Sequence, residues 1–235
     1  MESVEVVLDP EARNEHLEEL LAMQGIDPGE VEEGEDQAYC PISLTNTPEE
    51  LKDEVAERQE ILKDVLAEAG IDSYDPRTAP YSPDKDLSKH PEEVHRVDNK
   101  QIVGARYFTG HNILPSTGFG VELEKAHQYN RIPVILLDED VRVTRMRPPT
   151  VIHLEYSDFE DESHRFVDVF QYLNSYEPGL GLDEGDPVLL GFQDEEADPV
   201  NLEQEIYEEF PELRHEYDGE TPTIDLKAKN SEILR

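Results

Sequence analysis

The chain has 235 residues, of which 57 are acidic and 20 are basic, so its formal net charge at neutral pH is −37. Binding to phosphate backbones needs a basic face, so this charge argues against a general nucleic-acid binder. No apolar stretch approaches the roughly 20 residues of a membrane span, and the start of the chain lacks a signal-peptide pattern. The single cysteine cannot form an internal disulfide, and we expect a cytoplasmic location.

The acidic residues lie among periodic apolar positions, so we expect a folded chain rather than a disordered one. Twelve arginines accompany only eight lysines. An acidic surface with few lysines is typical of proteins that work in molar salt, where a Debye length of about 3 Å screens self-repulsion. The composition therefore predicts a halophilic protein of a salt-accumulating cell.

Acidic residues concentrate in two flanking segments of the chain. Residues 1–37 contain thirteen acidic residues and one basic residue, and residues 177–220 contain sixteen and one. This distribution predicts a working domain over residues 38–178. An acidic helical extension, 1–37, precedes it, and an acidic extension with a strand, a helix and a tail, 179–235, follows it. The extensions either add acidic surface and solubility or bind a partner.

Strands and helices alternate along the central region. Thr47 and Pro48 with a capping-box Glu predict one helix start, Gly70 predicts its end, and Pro91 opens the next helix. Five alternations predict an α/β fold with a five-stranded parallel sheet and helices on both faces, Rossmann- or flavodoxin-like. In such folds ligands bind at the carboxyl ends of the strands. The predicted strands are 38–44, 71–75, 105–109, 132–137 and 151–156, and the predicted helices include 47–70, 91–103, 118–130 and one carrying Phe166, Val169, Phe170 and Leu173.

The flanking segments contain elements of their own. The sequence predicts a helix that ends at Gly25, a strand over 188–192 and a helix over about 199–210.

The most informative stretch is PSTGFGVELEKA, residues 115–126, where the chain leaves the third strand and enters a helix. Ser116 offers a hydroxyl, Gly118 and Gly120 allow a ligand to approach the backbone, and the first-turn amides suit a phosphate. Glu122 projects from the first turn into the same region. Alternatively, this is a glycine-bearing turn in which Glu122 only complements the helix dipole.

Further polar residues lie at or near strand ends. Tyr39 and Ser43 belong to the first strand and its exit. Asp98 lies in the helix before the third strand. It is either a site residue or an acidic residue on the solvated side of that helix. Arg142 and Arg145 belong to the densest basic cluster of the chain, which either binds an anion or balances nearby acids. The eight histidines show no ligand spacing, so we expect no metal and no cofactor.

This pattern resembles the nucleoside 2-deoxyribosyltransferase superfamily, and most closely its 2′-deoxynucleoside 5′-monophosphate N-glycosidases. That group carries Pro-Ser-x-Gly-x-Gly-x-Glu-Leu-x-x-Ala at the third helix, and residues 115–126 match every fixed position. Its first strand has a Tyr four residues before a Ser, and Tyr39 and Ser43 match this spacing. Its catalytic Asp precedes the loop Ser by eighteen residues, the spacing of Asp98 from Ser116.

A fourth match follows the fourth strand, where Thr144 takes the serine position of an arginine- and methionine-containing segment. The resemblance covers about residues 38–176 and neither flank. It implies a homodimer or larger homo-oligomer, because the residue at this position reaches the site of a second subunit. The phosphate-binding residues that it implies are Ser43, Ser116, the Gly118 amide and Thr144, with Gly120 beside them and Arg142 or Arg145 as the accompanying cation.

The resemblance also implies catalytic roles. Glu122 is the expected nucleophile at the sugar anomeric carbon, Asp98 the acid that protonates the leaving base, and Tyr39 the residue that orients Glu122. Two carboxyl groups suit an oxocarbenium-like transition state whose base leaves with a proton. We expect the anionic nucleophile to raise the pKa of Asp98, which makes it an acid usable near neutrality.

Three functions follow as expectations. The first is an N-glycosidase that hydrolyses (deoxy)nucleoside 5′-monophosphates to free base and sugar phosphate. The second is a deoxyribosyltransferase that exchanges bases on free nucleosides, and the third is a non-catalytic nucleotide-binding or sensing protein. In each case the expected partner is a small nucleotide or nucleoside rather than a membrane or a nucleic acid.

Overall fold

The computed structural model describes residues 18–31, 34–42, 47–79, 90–111, 116–129, 131–139, 151–175 and 202–214. Five strands form one sheet in the order β2-β1-β3-β4-β5, and every neighbouring pair is parallel. This order is that of flavodoxin-like doubly wound folds, so the predicted fold class is confirmed. The strands are β1 Gly34–Tyr39, β2 Asp72–Tyr74, β3 Ala105–His111, β4 Ile132–Asp138 and β5 Ile152–Tyr156.

Helices cover both faces of the sheet. On one face α2 and α5 bury a core that includes Leu66, Phe166 and Phe170. On the other face α3 and α4 bury a second core that includes Ile102 and Leu123. None of the described helices is long and apolar enough to cross a bilayer. The helices are α1, described over 18–23, α2 Lys52–Glu68, α3 Pro91–Gly104, α4 Thr117–Gln128, α5 Phe159–Ser175 and α6 Leu202–Glu209.

Helix ends follow the predicted glycine and proline signals, with one correction. Gly25 and Gly70 adopt φ of 68° and 79° after α1 and α2, a conformation that favours glycine, and Pro91 is the first residue of α3. The predicted start of α2 at Pro48 is wrong. Pro48 is extended, a 3-10 turn occupies Glu49–Leu51, and the α-helix begins only at Lys52.

The first strand differs from its predicted range of 38–44. It begins at Gly34, because the polar residues that precede the apolar run also pair with β2 and β3. It ends at Tyr39, because Pro41 lacks the amide hydrogen that a ladder needs. Residues 43–46 lie outside the described ranges.

The described parts of both flanking segments contribute to the buried cores. Leu21 and Ile26 are each 3% exposed and pack into the core beneath α3 and α4. Ile206 of α6 is fully buried in the opposite core, and the Tyr207 hydroxyl donates a hydrogen bond to the His153 carbonyl at 2.7 Å. The strand predicted over 188–192 lies outside the described residues.

Candidate active site

The strand order places a crevice at the carboxyl ends of β1 and β3. β2 flanks β1 on one side, and β3, β4 and β5 follow on its other side. The helix after β1 (α2) and the helix after β3 (α4) therefore cover opposite faces of the sheet, which leaves a crevice between the ends of these two strands. Tyr39 is the last residue of β1, and its fully buried ring stacks between those of Tyr74 and Phe108, with centroid distances of 5.7 and 5.8 Å. This packing holds the Tyr39 hydroxyl at the crevice.

The first turn of α4 borders the same crevice. Ser116 is the N-cap of the helix, and its hydroxyl oxygen accepts a hydrogen bond from the Phe119 amide at 3.3 Å. The Phe119 ring packs edge-on against Phe108 of β3 at a centroid distance of 5.7 Å. Together these contacts fix the turn that precedes Glu122, whose side chain is partly buried.

Glu122, Asp98 and Tyr39 come together although they lie on α4, α3 and β1. Burial and, secondly, the charge of Asp98 raise the pKa of Glu122 to about 8, while a hydrogen bond from Tyr39 opposes this rise. Near neutral pH the two carboxyl groups therefore retain a proton between them. A partly buried carboxyl group whose pKa is raised to near neutrality beside a second carboxyl is a combination found at functional sites.

The structure raises the pKa of Glu122, where burial adds to the repulsion between the two carboxylates. The raised pKa of Asp98 that the sequence pattern suggests stays a prediction. Because the two groups interact, the proton belongs to the pair.

Gly118 and Gly120 face open space on the first turn of α4. A Cβ atom added at Gly120 would meet no atom within 4 Å, and one at Gly118 would meet only the Ser116 hydroxyl oxygen at 3.7 Å. The Thr117 and Gly118 amides belong to the first turn of the helix, where backbone donors have no intrahelical acceptor. The turn can therefore receive an anionic group.

Four of the predicted binding residues cannot be compared with the structure. Ser43, Arg142, Thr144 and Arg145 lie outside the described residues. Their roles remain predictions.

Sequence reasoning missed the close approach that brings β1 and β3 together at the site. A Cβ atom on Gly110 would lie 3.0 Å from the Pro41 carbonyl oxygen and 3.4 Å from the Phe119 ring. Gly110 therefore lets the exit of β1 and the first turn of α4 converge. The available signal was a glycine directly after the predicted third strand.

A second polar cluster, the Arg58 cluster, lies at the same edge of the sheet on the α2 and α5 face. Arg58 donates hydrogen bonds to the Tyr156 hydroxyl at 2.6 Å, to Glu54 at 2.7 Å and to Asp138 at 3.2 Å. His111 Nδ1 lies 3.1 Å from the same Tyr156 hydroxyl. The cluster joins α2 to the ends of β3, β4 and β5.

Neither the Arg58 cluster nor Cys40 shows the features of a reactive centre. Burial, with the charge of Arg58 second, lowers the pKa of His111 to about 3, so its ring is neutral. Burial raises the pKa of the Cys40 thiol, which disfavours the reactive thiolate. In the ranges that the structure describes, no three His, Cys, Asp or Glu side chains are grouped as metal ligands.

Two solved structures of low sequence identity are among the chains that this protein resembles. A CMP N-glycosidase, BcmB, from Clostridium botulinum has 15% identity and a TM-score of 0.42, with 57% of this chain and 98% of that chain covered. A 2-deoxyribosyltransferase from Bacillus psychrosaccharolyticus has 17% identity and a TM-score of 0.39, with 63% and 98% covered. No protein-family profile and no curated protein matches the chain. The function proposed below therefore rests on the site residues.

Proposed function

We propose that the protein is an N-glycosidase that hydrolyses the bond between sugar and base in (deoxy)nucleoside 5′-monophosphates. The observation that carries this proposal is the meeting of the Glu122 and Asp98 carboxyls with the Tyr39 hydroxyl at the crevice between β1 and β3. Glu122 is the nucleophile and Asp98 the general acid. Tyr39 orients the Glu122 carboxylate.

In the first step the Glu122 carboxylate attacks the anomeric carbon as the bond to the base breaks. The electron pair of that bond moves to the base, and Asp98 supplies the proton that the departing base takes. The products are free base and a sugar phosphate esterified to Glu122. The step needs one proton in the carboxyl pair, with Asp98 protonated and Glu122 ionised, as in retaining glycosidases.

In the second step water completes hydrolysis. The Asp98 carboxylate, now deprotonated, accepts a proton from water while the water oxygen attacks the anomeric carbon. The ester bond breaks, Glu122 leaves as a carboxylate, and Asp98 ends the cycle protonated. No redox partner or metal enters this balance.

The 5′-phosphate lies against the first turn of α4, where the Ser116 hydroxyl and the Gly118 amide donate to its oxygens. The open space in front of Gly118 and Gly120 supports this placement. Ser43 and either Arg142 or Arg145 extend the phosphate site, which Thr144 of a second subunit completes in a homodimer.

A deoxyribosyltransferase is the second candidate, because the two-carboxyl chemistry is common to both reactions. The esterified sugar would then pass to a second base instead of to water. The open space in front of Gly118 and Gly120 leaves room for a 5′-phosphate, which favours the monophosphate hydrolase. An increase in sugar transfer on adding a free acceptor base would favour the transferase.

The test is release of free base from a panel of nucleosides and 5′-monophosphates in about molar KCl. We expect Glu122→Gln to reduce release by on the order of 10³-fold or more, because the amide cannot act as the nucleophile. Glu124→Gln is the matched control. Glu124 lies on the exposed side of the same helix, where it accepts a hydrogen bond from Gln128 at 3.2 Å. That variant should keep the parental rate.

The pH dependence is a further readout of the same experiment. Since the pKa of Glu122 is about 8, release should decline above that pH as the pair loses its shared proton and the leaving base lacks an acid. No release by a folded protein that still binds nucleotides, with binding unchanged by Glu122→Gln, would favour the non-catalytic sensing protein instead.

A further inference from the structure

The N-terminal segment contacts both helices that carry the site carboxyls. Leu21 and Ile26 are each 3% exposed in the core shared with Ile102 of α3 and Leu123 of α4. The chain turns between them at Gly25, where the Ile26 amide donates to the Leu21 carbonyl at 3.0 Å. The residue before that turn, Gln24, is thereby held against the two helices.

Gln24 is bonded to a residue next to Asp98. Asn99 follows Asp98 in α3 and is 2% exposed, and its side-chain amide donates a hydrogen bond to Gln24 Oε1. The same amide nitrogen lies 3.1 Å from His95 Nδ1, one turn earlier in α3. Both hydrogens of the Asn99 amide therefore have acceptors.

The other end of the Gln24 side chain faces α4. It lies beside the hydroxyl of Tyr129, the C-cap residue of α4, whose ring is 1% exposed. Burial raises the pKa of Tyr129 to about 12, and the nearby Gln24 side chain opposes that rise. A primary amide offers an acceptor and a donor group on one short side chain, which is what a bridge between Asn99 and Tyr129 requires.

We propose that Gln24 is a positioning residue for the two-carboxyl site: by bridging Asn99 on α3 and Tyr129 at the end of α4, it sets the spacing of the helices that carry Asp98 and Glu122. The effect of Gln24 on catalysis rests on the proposed function, whereas its effect on the spacing of the two helices is independent of that function. It gives the N-terminal segment a part in the site, beyond the acidic surface that its composition suggests.

The spacing of the two helices controls how strongly the carboxyls interact. The titratable groups that act on Glu122 are Asp98 from α3 and Tyr39 from β1. If α3 and α4 separate, the repulsion from Asp98 weakens and water enters between the helices. Both changes lower the pKa of Glu122 towards its ordinary range.

The test uses the full chain carrying Gln24→Met, which keeps the length of the side chain and removes both the hydrogen bond from Asn99 and the polar group beside Tyr129. Carboxyl-carbon NMR of ¹³C-labelled protein follows the titration of Glu122, whose signal is identified by its loss in Glu122→Gln. We expect the pKa of Glu122 to fall by about one unit. In parallel, kcat for base release should fall by about ten-fold with little change in KM.

Two further variants separate positioning from general stability. The double variant Gln24→Met/Asn99→Leu removes both side chains of the Gln24–Asn99 hydrogen bond, so it should recover part of the thermal stability lost in Gln24→Met but keep the altered titration of Glu122. Lys100→Met removes the ion pair with Glu30 at 3.6 Å, another contact between this segment and α3, and should change neither readout.

The outcomes distinguish the two proposals. An unchanged titration of Glu122 in Gln24→Met and in the double variant overturns the positioning role, even if base release by the parent protein establishes the glycosidase. If the titration of Glu122 shifts in Gln24→Met but the parent protein releases no base, the glycosidase proposal is overturned and the positioning role is retained. A Tm decrease without either change marks Gln24 as merely structural and also overturns the proposal.

Discussion

Two polar clusters lie at the carboxyl edge of the same sheet and arrange charge in opposite ways. On the α3 and α4 face, Asp98 and Glu122 place like charges together in a buried setting, which raises the pKa of Glu122 to about 8. On the α2 and α5 face, Arg58 lies between Glu54 and Asp138. Burial disfavours the charge of Arg58, but the neighbouring Tyr156 and carboxylates outweigh this effect and raise its pKa.

The difference indicates which cluster performs chemistry. Opposite charges that neutralise one another stabilise strand ends, as a structural cluster should. Like charges held together cost folding free energy, and that cost is common where a proton has to be stored and moved. The neutral ring of His111, packed edge-on against Phe159 at 4.3 Å, completes the structural cluster without adding a titration near neutral pH.

We expect the removal of salt to have the largest effect on the protein, because the loss of charge screening acts on both clusters at once. With a net charge of −37, unscreened repulsion should destabilise the whole fold in dilute buffer. We expect the native circular dichroism signal to be lost at low salt and restored by molar KCl. Sucrose of equal osmolality is the control and should restore less, because it does not screen charge. Full stability in dilute buffer would contradict the halophilic interpretation.

Arg58→Met should break the structural cluster and leave the site intact. Loss of the guanidinium removes a hydrogen-bond donor from the partly buried Asp138 and from the buried Tyr156, which should lower the free energy of unfolding by about 1–3 kcal/mol. Base release per folded molecule should stay at the parental level. Chemical denaturation monitored by circular dichroism measures the first quantity.

The control for that variant is Lys52→Met, which removes an exposed ion pair with Glu49. An exposed pair contributes only about 0–1 kcal/mol, so this change should be close to neutral. If Arg58→Met were equally neutral, the Arg58 cluster would have no structural role.

We expect Tyr39→Phe to have a smaller effect, which is confined to the two-carboxyl site and does not reach the Arg58 cluster. Its hydroxyl lowers the pKa of Glu122, so removing it should raise that pKa and move the alkaline limb of base release above about pH 8. Fewer molecules then carry the proton on Asp98, and kcat/KM near neutrality should fall about ten-fold. Tyr74→Phe, which keeps the ring stacked on Tyr39, is the control and should leave the pH profile unchanged. A limb that moves to lower pH in Tyr39→Phe would refute the assigned hydrogen bond.

The amino-acid sequence alone predicted those features of the fold that depend on residues close together in the chain. Glycines at the ends of α1 and α2, Pro91 at the start of α3 and the alternation of strands with helices are local signals. The motif at the start of α4 belongs to the same class, because its N-cap and glycines act within one turn. The start of α2 was missed because Thr47-Pro48 satisfies the capping pattern without forming the first α-helical turn.

Only the tertiary structure decided which residues meet. The strand order brings Tyr39 to a carboxyl pair on α3 and α4, and Arg58 bonds to a tyrosine 98 residues further along the chain. Gln24 bonds to Asn99 across 75 residues. Such contacts have no period and no spacing rule, because they depend on how packed helices bury their apolar faces. For the same reason, the sequence pattern did not predict that burial raises the pKa of Glu122.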